Sequence, residues 1–291
     1  VSVINNSSNL NTIKSSTFWG CTKLSDIDLS NIKVIGASGL RDTNITTVDL
    51  PNLTKIESNG FRSSKIKTIT LPKGFTSIGQ YAFASCSDLT SVDASLITGN
   101  LEIGIYAFSE CSSLKSIVLP NNLNKISESC FRDCTSLTSI TIPKTVEMLE
   151  DNCFQNCLEL SNVNFDTDSN GETKISFLGS NCFYSCKKLE SISIPNSVKY
   201  IGFYTFAWAS KLSDVSLSEN ISSITRGLFR GCKNLENIEI PDRVTSLDSS
   251  CFSECTSLKI IYGCKGVSNL SDPMNDQDTG WGLFSNCYVL E

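Results

Sequence analysis

The sequence predicts a repeat solenoid of about twelve coils, each of about 23 residues, rich in β-strand and closed by short helical turns. Three observations predict it. A Phe or Leu recurs every 21–25 residues through most of the chain, Cys follows it three residues later in nine of twelve repeats, and an I-x-I alternation comes next. One coil cannot bury its own apolar side, so we expect neighbouring coils to stack.

The recurring aromatic position, called here the Phe position, sets the register of the repeat. Successive positions are 23 residues apart five times, and two longer steps of 29 and 32 residues contain insertions. The positions are Phe18, Leu40, Phe61, Phe83, Phe108, Phe131, Phe154, Phe183, Phe206, Phe229, Phe252 and Phe284.

Each part of the repeat predicts one part of the coil. The I-x-I alternation predicts a short strand with one buried face, and the Pro that often follows ends its hydrogen bonding. The later V-x-x-I segment returns along the far side, and Phe fills the interior of the closing turn. With coils stacked about 4.8 Å apart, we expect residues 1–291 to form one rod on the order of 55 Å long, either end of which is truncated if the sequence is an excised piece.

The motif F-x-x-C-x-x-L-x-x-I-x-I-P, with Ala or Cys before the Phe, resembles the BspA-like, or treponemal, class of leucine-rich repeat from about Leu10 to Leu290. The resemblance implies a leucine-rich-repeat solenoid. It also implies a surface or secreted protein of a bacterium or parasitic protist, because proteins of that class are typically found there. Several of them are adhesins for host matrix proteins or cells, so the resemblance implies a host-interaction role.

Composition narrows the functional classes. The net charge is −6 without any run of Lys or Arg, which does not fit a nucleic-acid partner. No stretch approaches the roughly 18 consecutive apolar residues of a membrane span. Histidine is absent, which removes Ser-His-Asp and Cys-His catalysis. We therefore expect a protein that is not an enzyme and needs no cofactor.

Fourteen cysteines fall into two columns and one outlier, Cys264. The favoured interpretation is a set of small buried side chains, because Ala82 and Ala107 replace Cys in the second column. A disulfide framework and a metal site built from two adjacent coils stay open as alternatives. The first column holds Cys21, Cys86, Cys111, Cys134, Cys157, Cys186, Cys232, Cys255 and Cys287, and the second holds Cys130, Cys153, Cys182 and Cys251.

The first insertion contains Asp166, Asp168 and Asn170, which match the opening D-x-D-x-N-G of a calcium loop. Phe177 stands where such a loop needs a bidentate Glu, so a polar turn that bulges from the rod is the favoured interpretation. The second insertion, residues 271–280, is also acidic and rich in turn residues. Both insertions are candidate contact surfaces.

The outward positions of the I-x-I strands form the candidate binding surface, because solenoids bind through their exposed sheet face. This row is acidic near the N-terminus, polar in the middle and apolar at Ile260 and Tyr262. It fits either a strip for a protein or glycan partner or a plain solvated face. The candidate partner-binding residues are Asp26, Asp28, Asp49, Asp93, Asn162, Asn164, Asp214, Glu239 and Tyr262.

Two functional hypotheses follow. The first is a non-catalytic, adhesin-like protein-binding module that is extracellular or displayed at the cell surface. The second is a structural scaffold in the cytoplasm of a eukaryotic microbe, which free thiols would suit.

Six N-x-S/T sequons, at Asn5, Asn6, Asn44, Asn52, Asn220 and Asn269, matter only for a secreted eukaryotic protein. For Trp19, Trp208 and Trp281 the favoured role is packing along the turn edge.

Overall fold

A computed structural model describes residues 2–3 and 10–270. Regular structure in this part of the chain consists of 23 short strands, numbered here in chain order, with turns between them. Each coil contributes an I-x-I segment to a first sheet, as a strand in every described coil except that of Leu40. It then turns, contributes a two-residue strand to a second sheet, and closes through a turn that carries the Phe position. Eleven of the twelve Phe positions lie in the described residues, and Phe284 lies outside them.

The first sheet is formed by the I-x-I segments, as the alternation predicts. Its strands are two to four residues long, and alternate side chains point into the core, as in the exposed-buried-exposed pattern of Thr68–Thr70. The strands are β1 (Ser2–Val3), β3 (Asp26–Ile27), β6 (Thr68–Thr70), β8 (Ser91–Asp93), β10 (Ser116–Val118), β12 (Ser139–Ile142), β14 (Asn162–Phe165), β16 (Ser191–Ser193), β18 (Asp214–Ser216), β20 (Asn237–Ile240) and β22 (Ile260–Gly263).

The second sheet is formed by the V-x-x-I segments. It consists of two-residue strands with one side chain buried in nearly all of them, arranged in runs of five, four and three. The strands are β2 (Thr12–Ile13), β4 (Val34–Ile35), β5 (Lys55–Ile56), β7 (Ser77–Ile78), β9 (Glu102–Ile103), β11 (Lys125–Ile126), β13 (Met148–Leu149), β15 (Phe177–Leu178), β17 (Tyr200–Ile201), β19 (Ser223–Ile224), β21 (Ser246–Leu247) and β23 (Asn269–Leu270).

Every strand pairing in the described residues is parallel and joins equivalent positions of adjacent coils. Ile140 of β12, for example, is the register partner of Val163 of β14. Equivalent side chains therefore form columns along the rod. A contiguous hydrophobic core runs between the sheets from Ile13 to Leu258.

The Phe positions form the most regular of these columns. From Phe61 to Phe252, successive rings stack with centroids 5.2–5.8 Å apart and planes within 10° of parallel. These nine rings are fully buried. Stacked aromatic pairs at such separations contribute about 0.5–1.5 kcal/mol beyond the burial of their area, so the column stabilises the contact between coils as well as the interior of each coil.

The turn that carries the Phe position, called here the turn edge, has two residues with left-handed backbone conformation in each described coil. They lie two residues before and two residues after the Phe position, with φ between +53° and +72°. In the coil of Phe131 they are Ser129 and Asp133. Most of these positions hold Ser, Asn, Asp or Gly, residues that adopt this conformation at lower cost because they are small or bond locally.

The predicted short helical turns are wrong for the described residues, which contain no helix. The left-handed pair explains this, because a helix needs consecutive right-handed residues. The turn-edge N–H groups alternate instead between two partners. Phe131 donates to the Cys153 carbonyl of the next coil at 2.8 Å, whereas Arg132 donates to the Ser129 carbonyl of its own coil at 3.2 Å.

Replacing Phe131 tests the column. Because Phe131 stacks on both Phe108 and Phe154, we expect Phe131→Ala to lower the free energy of unfolding by about 3–5 kcal/mol. Phe131→Leu should lose less, since Leu40 occupies the Phe position of another coil. Urea unfolding followed by circular dichroism measures both. Phe203→Ala is the control, because that side chain is 46% exposed, and a loss for Phe131→Ala no larger than the control's would contradict the assignment.

Candidate functional site

The outward side chains of the I-x-I segments form one exposed face along the rod, called here the binding strip. All nine predicted partner-binding residues lie on it, and each is exposed or partly buried. They come from seven coils spread over most of the rod, with adjacent coils about 4.8 Å apart, so they do not converge on a pocket. The strip is suited to contact with an extended or multivalent partner.

The acidic end of the strip contains two kinds of carboxylate. Asp26 and Asp49 are exposed, and no ion pair or side-chain hydrogen bond engages either of them within the described residues. Asp28 accepts a hydrogen bond from the Ser30 N–H at 3.0 Å, and Asp93 accepts one from the Ser95 N–H at 2.9 Å. The bond from Ser30 lowers the pKa of Asp28. Asp28 and Asp93 therefore close the turn after their strands, and Asp26 and Asp49 are available to a partner.

The rest of the strip combines amide, acidic and apolar side chains. Asn162 and Asn164 lie opposite Ser139 and Thr141 of the preceding coil. Asp214 lies opposite Ser191, and Glu239 lies opposite Tyr262 in the last strand pair.

The large apolar side chains exposed on the strip are Val118, Ile260 and Tyr262, at 50%, 58% and 48%.

A row of hydroxyls beside the strip is used internally. Thr90 Oγ1 donates to the Lys67 carbonyl of the preceding coil at 3.0 Å, and Ser161 Oγ donates to the Thr138 carbonyl at 3.2 Å. These bonds hold adjacent coils together. Hydroxyl-rich composition along this border therefore reflects coil packing.

The first insertion forms a closed polar turn. Asp168 Oδ1 accepts hydrogen bonds from the N–H groups of Asn170 and Glu172 at 2.8 and 3.0 Å, and these bonds lower the pKa of Asp168. Asp166 Oδ1 accepts from the adjacent Thr167 N–H at 3.0 Å. Within residues 2–3 and 10–270, no three His, Cys, Asp or Glu side chains are grouped as a metal site. The calcium hypothesis for Asp166, Asp168 and Asn170 stays a prediction.

Eleven of the cysteines are buried in the turn edge, whereas Cys21 is exposed and Cys264 is partly buried. First-column thiols donate to the carbonyl at the Phe position of the preceding coil, as from Cys134 Sγ to the Phe108 oxygen at 3.1 Å. Burial raises the pKa of Cys111 and Cys134 well above the usual range. These thiols are therefore protonated and shielded, which is unfavourable for nucleophilic chemistry. Cys287 lies outside the described residues.

The second sheet presents an aromatic surface that the sequence analysis missed. Phe177 and Tyr200, from adjacent coils, stack with ring centroids 5.1 Å apart, and Phe203, three residues after Tyr200, is also exposed. Reading the outward positions of the V-x-x-I segments, as was done for I-x-I, would have found the pair. Nothing in the spacing singles out Phe203, which lies just beyond its strand.

The two described tryptophans lie along the turn edge. Trp19 Nε1 donates to Asp42 Oδ2 at 2.9 Å, and the Arg41 guanidinium lies 4.9 Å from its ring centroid. Trp208 lies against Gly231, and the Arg230 guanidinium is 5.8 Å from the indole centroid. Both tryptophans therefore pack along the turn edge. Trp281 and the second insertion, 271–280, lie outside the described residues.

Two sequons have amides that are already engaged. Asn52 Nδ2 donates to the Ser30 carbonyl at 2.8 Å, and Asn220 Nδ2 donates to the Asn196 carbonyl at 2.7 Å. A glycan at either position would break a contact between coils. Asn5 and Asn6 lie outside the described residues.

Among the residues the structure describes, no helix has the length and hydrophobicity required to cross a bilayer.

Comparison with known proteins identifies the repeat. A family model described as the BspA type leucine-rich repeat region matches in six copies, over residues 1–101, 101–177 and 176–291. No curated protein matches the chain.

Solved structures show the same fold. A leucine-rich repeat protein from Bacteroides ovatus matches with a TM-score of 0.63 and 22% identity, over 100% of this chain and 77% of that one. One from Eubacterium ventriosum matches with a TM-score of 0.58 and 20% identity, over 98% and 82%. The pneumococcal vaccine antigen PcpA matches with a TM-score of 0.50 and 21% identity, over 86% and 69%.

The buried thiols predict a fall in stability at alkaline pH. Unfolded thiols ionise near pH 8.5, whereas burial keeps thiols such as Cys130 and Cys134 protonated in the folded chain. The folded state then holds more protons than the unfolded state. The stabilisation is fully present below about pH 8.5, and each such thiol lowers the free energy of unfolding by about 1.4 kcal/mol per pH unit above it, until the folded thiol ionises.

Cys130→Ala isolates one thiol, because Ala82 and Ala107 occupy the equivalent position in other coils. We expect the free energy of unfolding of the variant to fall less steeply between pH 8.5 and 10. The slopes should differ by about the 1.4 kcal/mol per pH unit that one buried thiol contributes. Urea unfolding across this pH range measures the slopes. Equal slopes for the variant and the unmodified chain would show that Cys130 is not held protonated by the fold.

Proposed function

Because the chain belongs to the BspA-type leucine-rich repeat family, we propose that it is a non-catalytic binding protein, secreted or displayed at the cell surface, that contacts a host protein or glycan through the binding strip. Leucine-rich repeat proteins generally act as binding modules. The observation that carries the proposal is the strip itself, a solvent-facing row repeated along the rod on short parallel ladders of two or three strands.

The strip favours a broad and shallow contact. Its middle carries small polar side chains such as Ser139, Thr141 and Asn164, which lose little rotamer entropy when a partner covers them. Large aromatic anchors, which dominate compact interfaces, are sparse along the strip, with Tyr262 as the exposed example. Binding energy would therefore be spread over many coils, and a repetitive partner would gain from simultaneous contacts.

The acidic end makes the strip more negatively charged at the N-terminal coils than elsewhere. Asp26 and Asp49 carry charges that no described side chain neutralises. Unpaired carboxylates on a flat sheet attract a basic partner and raise its association rate, more strongly at low ionic strength. We infer that the partner places basic groups against the N-terminal coils.

A surface location is supported by the family, and one solved structure of the same fold is described as a vaccine antigen. The buried thiols do not favour a cytoplasmic scaffold over a surface protein. Thiols such as Cys111 and Cys157 are fully buried, so an oxidising environment reaches them only when the coil opens.

The double variant Asp26→Lys/Asp49→Lys tests the strip. We expect saturable binding to an immobilised panel of extracellular-matrix proteins and glycans, measured by surface plasmon resonance. For the partner that binds, affinity should fall about tenfold, or about 1.4 kcal/mol, in the double variant. The loss should shrink as salt is raised.

Glu172→Lys/Glu219→Lys is the matched control, because both residues are exposed and lie off the strip. It makes the same change in net charge. If the control loses as much affinity as the strip variant, the effect is one of overall charge and the strip is not the contact. If the unmodified chain binds no member of the panel, the proposal of a host-directed binding protein fails.

A further inference from the structure

A groove of about 370 Å³ opens on the turn edge, away from the binding strip. It is lined by Tyr184, Ser185, Lys187, Trp208, Ser210 and Lys233. The residues come from three successive coils, those of Phe183, Phe206 and Phe229. Two aromatic rings, two hydroxyls and two ammonium groups thus converge on one concave surface.

Trp208 occupies a backbone conformation that is unfavourable for its residue type. Its φ is +62°, a left-handed conformation that a bulky residue adopts rarely, at about 1–2 kcal/mol. The next coil has Gly231 at the equivalent position, and a Cβ added there would lie 2.6 Å from Trp208 Cε3. The missing side chain of Gly231 therefore makes room for the indole.

The same pairing occurs at the other left-handed position of these two coils. Tyr204 has φ +55°, and a Cβ added to Gly227 in the next coil would clash with Tyr204 Cε1. One coil therefore carries aromatic residues at both left-handed positions, and the following coil carries glycine at both. The two rings lie over the glycines.

The lysines of the groove carry uncompensated charge. Lys187 and Lys233 are exposed, and neither forms an ion pair with a side chain in the described residues. Two nearby cations are neutralised instead, since Lys211 pairs with Glu190 at 3.3 Å and Arg230 with Glu254 at 3.0 Å. On a chain of net charge −6, this is a local positive site with an electrostatic preference for an anion.

We propose that this groove binds a short acidic oligosaccharide, with sulfate or carboxylate groups on Lys187 and Lys233 and a sugar ring against Trp208 and Tyr184. The electron-rich face of an aromatic ring attracts the weakly positive C–H groups of a sugar. The Ser210 hydroxyl lies between the two lysine positions and can bond to sugar hydroxyls. This proposal does not rest on the binding strip.

The length of the groove favours a saccharide over a nucleic acid or a long acidic peptide. Lys187 and Lys233 are two coil steps apart, roughly 10 Å. The basic column stops on both sides, at Leu158 and at Thr256. A strand of nucleic acid is usually tracked by a longer basic path, about 4–16 nucleotides per binding fold, which this edge lacks.

The test is a titration of the purified chain with a sulfated tetrasaccharide, followed by calorimetry and by tryptophan fluorescence. We expect saturable one-site binding that weakens with salt. Lys187→Gln/Lys233→Gln and Trp208→Gly should each weaken it at least tenfold. Glycine is suited to position 208, since Gly231 adopts the same backbone conformation at φ +72°, so this variant keeps the fold and removes only the indole.

Matched controls are Lys73→Gln/Lys144→Gln, two exposed lysines elsewhere, and Trp19→Ala, a turn-edge tryptophan outside the groove. Each should keep affinity within about twofold. Asp26→Lys/Asp49→Lys should bind the tetrasaccharide no more weakly than the unmodified chain, which separates this site from the strip.

Absence of binding by the unmodified chain would overturn the proposal, and so would equal losses in the groove variants and their controls. A single-stranded oligonucleotide or a polyglutamate peptide of the same charge supplies the other anionic chemistries. Tighter binding of either one, with the same dependence on Lys187 and Lys233, would assign the groove to that class and reject the saccharide.

Discussion

The stacked Phe column and the two left-handed residues that flank each ring govern the rest of the structure. The flanking residues put two left-handed backbone conformations within five residues. The Phe between them therefore lies inside the coil, and alternate N–H groups donate to the next coil. Since each of those bonds runs to the residue before the equivalent position in the next coil, each coil must copy the register of its neighbour. The flat first sheet, the thiol column and the turn-edge groove all follow from that copying, because side chains at equivalent positions are brought into line.

The repeat period and the I-x-I alternation were sufficient to predict the solenoid and the outward positions of the first sheet. Side-chain alternation in a strand is a strong constraint, and residues such as Thr68 and Thr70 confirm it by their exposure. The turn edge was predicted wrongly as helical. Its left-handed positions mostly hold Ser, Asn, Asp or Gly, but one coil has Tyr106 and Glu110 there, so residue type alone does not reveal a conformation that the contact with the next coil imposes.

Residues on the strip could be placed from sequence, but their individual roles could not. Asp26 and Asp28 are two residues apart, yet only Asp28 accepts a backbone N–H. The groove could not be predicted from the sequence, for another reason. It joins positions one, two and four residues after the Phe position in three coils, and a comparison made column by column does not bring those positions together.

The aromatic–glycine pairing between the coils of Phe206 and Phe229 bears on how such a chain can change its length. Gain or loss of a whole repeat preserves the Phe stack almost wherever it occurs, since every coil presents the same surface to its neighbours. A coil inserted between these two would instead set Tyr204 and Trp208 against side chains other than Gly227 and Gly231. The two repeats should therefore be inherited as a single block, and recombination that alters the number of coils should fall outside them.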